Sequence, residues 1–451
     1  MTGSSASTVR KPTPAGTRRP HVVVVGAFLA LYAGVTALLM EVPVGLAVLD
    51  APQFETARFL VGGLIAALGA FSLSLQATSV VLPSTVFLAF QCVFVHVPSV
   101  ALCAVHPSLP LASTFMTSLA LNVVGYLSGN RVQAPALRVP RLVAAVCAAP
   151  VFLWLAYASF VFLKTLLSGS FSLESVLDLD VLYDFREKVF SSFSGRDLTA
   201  LSALGYFVFP LLAVECAARR SYVGVLIVFC MVMALYSTTG AKAYVAVPFL
   251  SLAVFRLARR GESHRFVLGF VSLVAAAVLA ALVLGVVLDS PWPLALALRG
   301  LVTPGESHII YFDYFRELRR LSIFDLFPSG LPEFGNLSVS EVVHHYVYGA
   351  EIGDGQGTNA GIFGTAYALY GVLGVAVYTV IAAVVLSVLD RFGARHTRSG
   401  LALSSIPSLF LLTNVSLTSA FVYYGLGFAL VLAVCWEALF RPSLGQPSLY
   451  H

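Results

Sequence analysis

The stretch "FVLGFVSLVAAAVLAALVLGVVL", residues 266–288, runs for 23 positions without a charged side chain. As a helix rising about 1.5 Å per residue it is about 35 Å long, enough to cross the roughly 30 Å of hydrocarbon in a bilayer. A helix that is apolar all round either sits in a large core or faces lipid. Composition decides between the two: of 451 residues 58% are hydrophobic and only 11% charged, too little polar surface to cover a soluble globule of this size. The chain therefore reads as an integral membrane protein, with the lipid bilayer as its solvent and no nucleic-acid partner.

Working outward from 266–288, eleven more segments have the length and hydropathy of spans. The expected fold is all-α and polytopic, with about twelve transmembrane helices near 22–45, 57–77, 80–103, 110–128, 141–166, 199–218, 221–238, 241–258, 266–288, 361–389, 401–415 and 417–440. Pro98, His106 and Pro110 interrupt the third and fourth, and the last two share the polar break "TNVSLTSA". Charge placement gives an independent check, because cytoplasmic loops concentrate Lys and Arg. With the N-terminus inside, 17 of the 27 basic residues and 4 of the 22 acids fall on the cytoplasmic side, a net +13 there against −8 outside. Both termini are expected in the cytoplasm.

Residues 1–20 read as a disordered cytoplasmic tail, 21–440 as the membrane domain and 441–451 as a C-terminal cytoplasmic tail. Cys92, Cys103, Cys147, Cys216, Cys230 and Cys435 are scattered through apolar spans without metal-ligand spacing, so they are expected to pack in the core.

Two outer connections are long, 167–198 and 289–360, and function is sought there. The second has nine acids and four arginines among many aromatics, so a folded outer cap is expected rather than a disordered linker. Periodicity over 306–321 puts Ile309, Phe312, Phe315 and Leu318 on one side and Arg316, Arg319 and Arg320 on the other, as in an amphipathic helix on the membrane surface. Arg299 ends the apolar stretch "PWPLALALRGL", and Lys242 is a lone cation at the start of the eighth span. Tyr183 and Arg186, three residues apart in "DVLYDFREKV", share a helical face. Arg186, Lys242 and Arg299 are cations on three outer elements, able to converge on one anionic headgroup. The acidic pair Asp178 and Asp180 has no nucleotide-binding domain beside it, and no metal or other cofactor is expected.

In order and topology, these stretches resemble the bacterial oligosaccharide repeat-unit polymerases (Wzy-type O-antigen or exopolysaccharide polymerases). The resemblance covers about residues 180–390 and rests on "DVLYDFREKV", "TTGAKAYVAVPFL", "LALRGLVTPGESHIIYFDYF" and "TNAGIFGTAYALYGVLGV". The family's Gly-x-Lys lysine maps onto Lys242, its arginine before an aromatic helix onto Arg299, and its late Asn, Tyr and Gly-x-x-Gly onto Asn359, Tyr367, Gly371 and Gly374. Ala243 and Thr365 depart from the pattern, in which many relatives have Ser at the first place and an acid is common at the second.

The resemblance implies a membrane glycosyltransferase that needs neither metal nor nucleotide sugar. It would move an oligosaccharide as a block from undecaprenyl diphosphate onto the next lipid-linked repeat unit, with a flippase and a chain-length regulator as partners. Negative charge develops on the leaving diphosphate, which suits fixed cations: Arg299 and Arg186 as bidentate donors and Lys242 as a point charge. His308 is the preferred general base over Glu306, Asp313, His344 and His345. Arg316, Arg319, Tyr183, Asn359 and Tyr367 are substrate-binding candidates. An O-antigen ligase and a transporter or flippase of lipid-linked sugars are the alternatives. The glycine-rich "GDGQGTNAGIFG", residues 353–364, lacks the Gly-Lys-Ser/Thr ending of a nucleotide loop and reads as a hinge and close-packed start to the tenth span.

Overall fold

The computed structural model describes residues 18–41, 52–76, 80–129, 139–167, 193–239, 243–259, 261–290, 292–317, 339–348, 358–395 and 405–440. All regular structure among these residues is helical. In chain order the helices are α1 (Arg18–Glu41), α2 (Thr56–Ser74), α3 (Pro83–Val105), α4 (Leu111–Gly129), α5 (Arg141–Leu167), α6 (Gly195–Ala218), α7 (Tyr222–Thr239), α8 (Ala243–Ala258), α9 (Ser263–Val287), α10 (Trp292–Glu317), α11 (Val339–Tyr348), α12 (Ile362–Arg395), α13 (Ile406–Leu411), α14 (Leu417–Val422) and α15 (Leu426–Phe440). Among the described residues nine helices, α1 to α7, α9 and α12, are long and apolar enough to cross a membrane. The eighth expected span is a 16-residue helix, and the last two are represented by the short pieces α13, α14 and α15.

The helices pack as two groups. α3 is the centre of the larger: its most apolar window is 94% buried, whereas that of α9, the opening stretch, is only 17% buried and faces outward. Around α3 gather α1, α2, α10, α12 and α13, with α4 bracing α2 and α12. The smaller group is built from α5, α6, α7 and α8.

Both α3 and α6 contain a π-helical turn, Gln91–His96 and Leu204–Val208, that ends two residues before a proline, Pro98 and Pro210. Proline has no N–H and its ring clashes with the carbonyl four residues back, so a wider turn there relieves the ladder. At Pro98 the irregularity is where α10 crosses. A Cβ on Gly305 would lie 2.8 Å from Pro98 Cβ, the Ser99 nitrogen and the Val95 oxygen, so only glycine lets the two backbones approach. Ser99 Oγ donates to the Gly305 carbonyl at 2.9 Å and fixes the crossing.

This crossing corrects the surface-helix expectation for 306–321. Residues 292–317 form one helix, and around the crossing both of its faces are enclosed: Ile309, Phe312 and Phe315 are buried, and so are Glu306, Ser307 and His308. On the polar side of the sequence pattern Arg316 is exposed, and Arg319 and Arg320 lie outside the described residues. Cys147 and Cys230 also depart from expectation, being exposed on the outside of the bundle, while Cys92, Cys103 and Cys435 are buried.

Helix α12 is two helices in sequence. Tyr370 and Gly371 break it, Gly371 at φ 60°, and the arm Ile362–Leu369 ahead of the kink is buried along its whole length. The start of that arm is pinned: the Ile362 N–H and Gln91 Nε2 both donate to the Leu412 carbonyl, at 3.1 and 3.2 Å. Thr358 is held by the Ser340 carbonyl, by Tyr311 Oη at 2.8 Å and by His344 at 3.2 Å. The end of the glycine-rich stretch is thus a close-packed junction, with Gly361 against the Leu412 and Thr413 carbonyls.

Candidate functional site

The sequence "SGRD", residues 194–197, starts α6 with a reciprocal cap. Ser194 is extended, its Oγ accepts from the Asp197 N–H at 3.2 Å, and it donates to Asp197 Oδ2 at 2.8 Å. Such a pairing satisfies one of the orphan donors of a first turn. Asp197 Oδ1 accepts from Tyr157 Oη of α5 at 2.6 Å, so one carboxylate orders the turn and ties it to the neighbouring helix. Tyr157 sits beside Trp154, one turn back, with ring centroids 5.6 Å apart.

From the facing side, Val422 and Tyr423 at the end of α14 and Phe428 of α15 complete an open chamber of about 990 Å³. Arg196 and Thr199 from α6 and Trp154 and Tyr157 from α5 form the rest of its wall. Arg196 makes no ion pair among the described residues, and Lys164 lies within electrostatic reach of Asp197. Aromatic faces beside a guanidinium and hydroxyls suit a sugar attached to an anionic group. The rings can lie against the sugar C–H faces, and the planar fork can take two phosphate oxygens.

The residues chosen from sequence are distributed differently. Arg299, His308 and Arg316 share α10, but Arg299 and Arg316 are exposed while His308 is 1% exposed. Nine residues of helix separate Arg299 from His308, about 13 Å of rise and half a turn of rotation, so they point away from each other. His308 Nε2 lies 2.8 Å from Thr117 Oγ1, within hydrogen-bond distance, and the same hydroxyl is 3.0 Å from the Ser113 carbonyl. Its ring packs on Phe312 at 4.8 Å, and Phe312 stacks on Tyr367 at 4.2 Å. The structure therefore brings His308 and Tyr367 together as parts of one packed stack. Asn359 is exposed beside the pinned Thr358. Lys242, Tyr183, Arg186 and Arg319 lie outside the described residues, as do Asp178, Asp180 and Asp354.

Trp154, Tyr157, Arg196 and Tyr423 were not singled out by the sequence reading. The Ser-x-x-Asp spacing at 194–197 was the available signal, a cap that places Arg196 at the first turn of a span. A further residue reads as cytoplasmic from its position yet is fully buried: Asp390, whose Oδ1 accepts from the Ser84 N–H at the start of α3 at 2.8 Å. That carboxylate satisfies a helix-terminal donor and belongs to the packing of α12 on α3. Among the described residues no group of three His, Cys, Asp or Glu side chains is placed to hold a metal. No protein-family model, no curated protein and no solved structure matches the chain.

Proposed function

We propose that this protein is a membrane glycosyltransferase that lengthens a polysaccharide on the outer face of a bacterial inner membrane, within a twelve-span fold whose termini are both cytoplasmic. Its substrates are oligosaccharides on undecaprenyl diphosphate. A hydroxyl of the acceptor repeat unit attacks the anomeric carbon of the donor, a C–O bond forms, and the bond to the diphosphate breaks with its electron pair leaving on the phosphate oxygen. The hydroxyl proton passes to a base or to solvent. A flippase supplies the donor and a chain-length regulator acts on the product.

The observation that carries this reading is the chamber between α5, α6 and α15, where Trp154, Tyr157 and Tyr423 surround Arg196. With the charge pattern setting the N-terminus inside, the chamber opens outward, on the side where lipid-linked sugars are joined without nucleotide donors. Arg196 would bind the leaving diphosphate, a contribution on the order of 10²–10³ in rate for a fixed donor aimed at developing charge. Arg299, with Lys242 and Arg186, is the competing cation set.

The test is reconstitution of purified protein with undecaprenyl-diphosphate-linked repeat units. A ladder of polymers on lipid diphosphate is the expected product. Transfer to lipid A would instead make the protein a ligase, and a change of sidedness without new glycosidic bonds would make it a flippase.

A further inference from the structure

Behind the chamber, sharing Phe428 as a wall, a second cavity of about 210 Å³ runs between α5, α6 and α15. Apart from the Cys435 thiol and the Trp436 ring nitrogen its side chains are hydrocarbon, among them Val151, Leu155, Leu211 and Val431. Along α5 the groove covers positions 148–155 and the chamber 154–157, and along α15 the groove continues from Phe428 down to Leu439. The two spaces are therefore consecutive compartments along the same pair of antiparallel helices, the polar one above the apolar one.

We infer that the groove is the seat of a single polyisoprenoid chain whose diphosphate head rests against Arg196 in the chamber. This deepens the proposed function and rests on it for the identity of the lipid. An empty apolar gap between spans fills with some hydrocarbon, so the decision lies in what is attached to that hydrocarbon. The groove opens at Phe428 into a space with a cation, which selects an amphiphile with an anionic head. Its volume of about 210 Å³ holds a stretch of one hydrocarbon chain, and the isoprenoid diphosphate of the proposed function supplies both that chain and the anionic head. Helix α5 is poorly covered on its remaining faces, with Phe152 52% exposed beside the groove, so a lipid can enter laterally from the bilayer.

The experiment uses the full chain in nanodiscs of phosphatidylethanolamine and phosphatidylglycerol. The probe is undecaprenyl diphosphate with a diazirine in the middle of its chain. Cross-links are expected on α5 and α15 between residues 148 and 155 and between 428 and 439. They should be competed by unlabelled undecaprenyl diphosphate but not by excess phosphatidylglycerol or inorganic diphosphate. Val431→Trp, filling the groove, should weaken lipid binding at least about tenfold, a difference of 1.4 kcal/mol. Val223→Trp on an exposed face of α7 should not change it. Cross-links confined to other helices, or competition by phosphatidylglycerol equal to that by the isoprenoid, would overturn the groove assignment while polymer formation still stood. Groove labelling with no polymer from any repeat unit would instead keep the lipid seat and remove the polymerase reading.

Discussion

The crossing of α10 over α3 and the chamber between α5, α6 and α15 use polar side chains in opposite ways. At the crossing, Ser99, Thr117, Glu306, Ser307 and His308 are enclosed, and the hydrogen bonds of Ser99, Thr117 and His308 run inward. In the chamber, Asp197 is the organising group, and it leaves Trp154, Tyr157, Arg196 and Tyr423 facing an open space. The first region holds helices together and the second can hold a ligand. The contrast teaches that a polar cluster in a membrane protein marks a site only when something remains for a ligand to bond.

The largest effect that tests this contrast is Gly305→Val. Its side chain would meet the backbone atoms of Val95 and Ser99, which cannot rotate aside, and overpacking of this kind costs about 1–3 kcal/mol or more. Loss of monodisperse folded protein in detergent size-exclusion is expected. Gly195→Ala, in the chamber wall with nothing within 4 Å of its new carbon, should leave the melting temperature unchanged. Equal damage from both would erase the distinction between the regions.

Next in size is Arg196→Ala, expected to lower polymer formation on the order of 10²-fold at an unchanged melting temperature, whereas Arg299→Ala should lose much less. Initial rates in the reconstituted assay decide it. The reverse ranking would move the diphosphate from the chamber to the exposed face of α10 and restore the cation set read from the sequence.

That rivalry shows what the sequence could convey. Membrane-crossing helices were legible because hydropathy adds up locally, and residues 266–288 needed no partner to be recognised. The burial of α10 was not, because Glu306 and His308 read as general-base candidates in an outer cap. Their enclosure depends on a backbone approach between Gly305 and Pro98, over 200 positions apart. The chamber was less legible still, since α5, α6, α14 and α15 each contribute only one to three of its side chains. Only "SGRD" carried a local signal.

His308→Ala should cost about 1–3 kcal/mol through the lost hydrogen bond to Thr117 and a small cavity, with activity per folded molecule retained. Loss of activity at full stability would instead make His308 the general base.

The smallest effect is expected at Asn359. Its neighbour Thr358 is pinned by the Ser340 carbonyl, Tyr311 and His344, so the backbone there is fixed without help from the asparagine side chain, which is exposed. Asn359→Ala should change the stability by no more than a surface substitution does, about 0.5 kcal/mol. Its influence on polymer length is the informative measurement. Shorter chains at an unchanged initial rate would make the α12 junction a second contact for the growing saccharide, separate from the chamber. Unchanged chains would leave the chamber as the whole of the binding surface and reduce the resemblance at residues 358–374 to a pattern of helix packing.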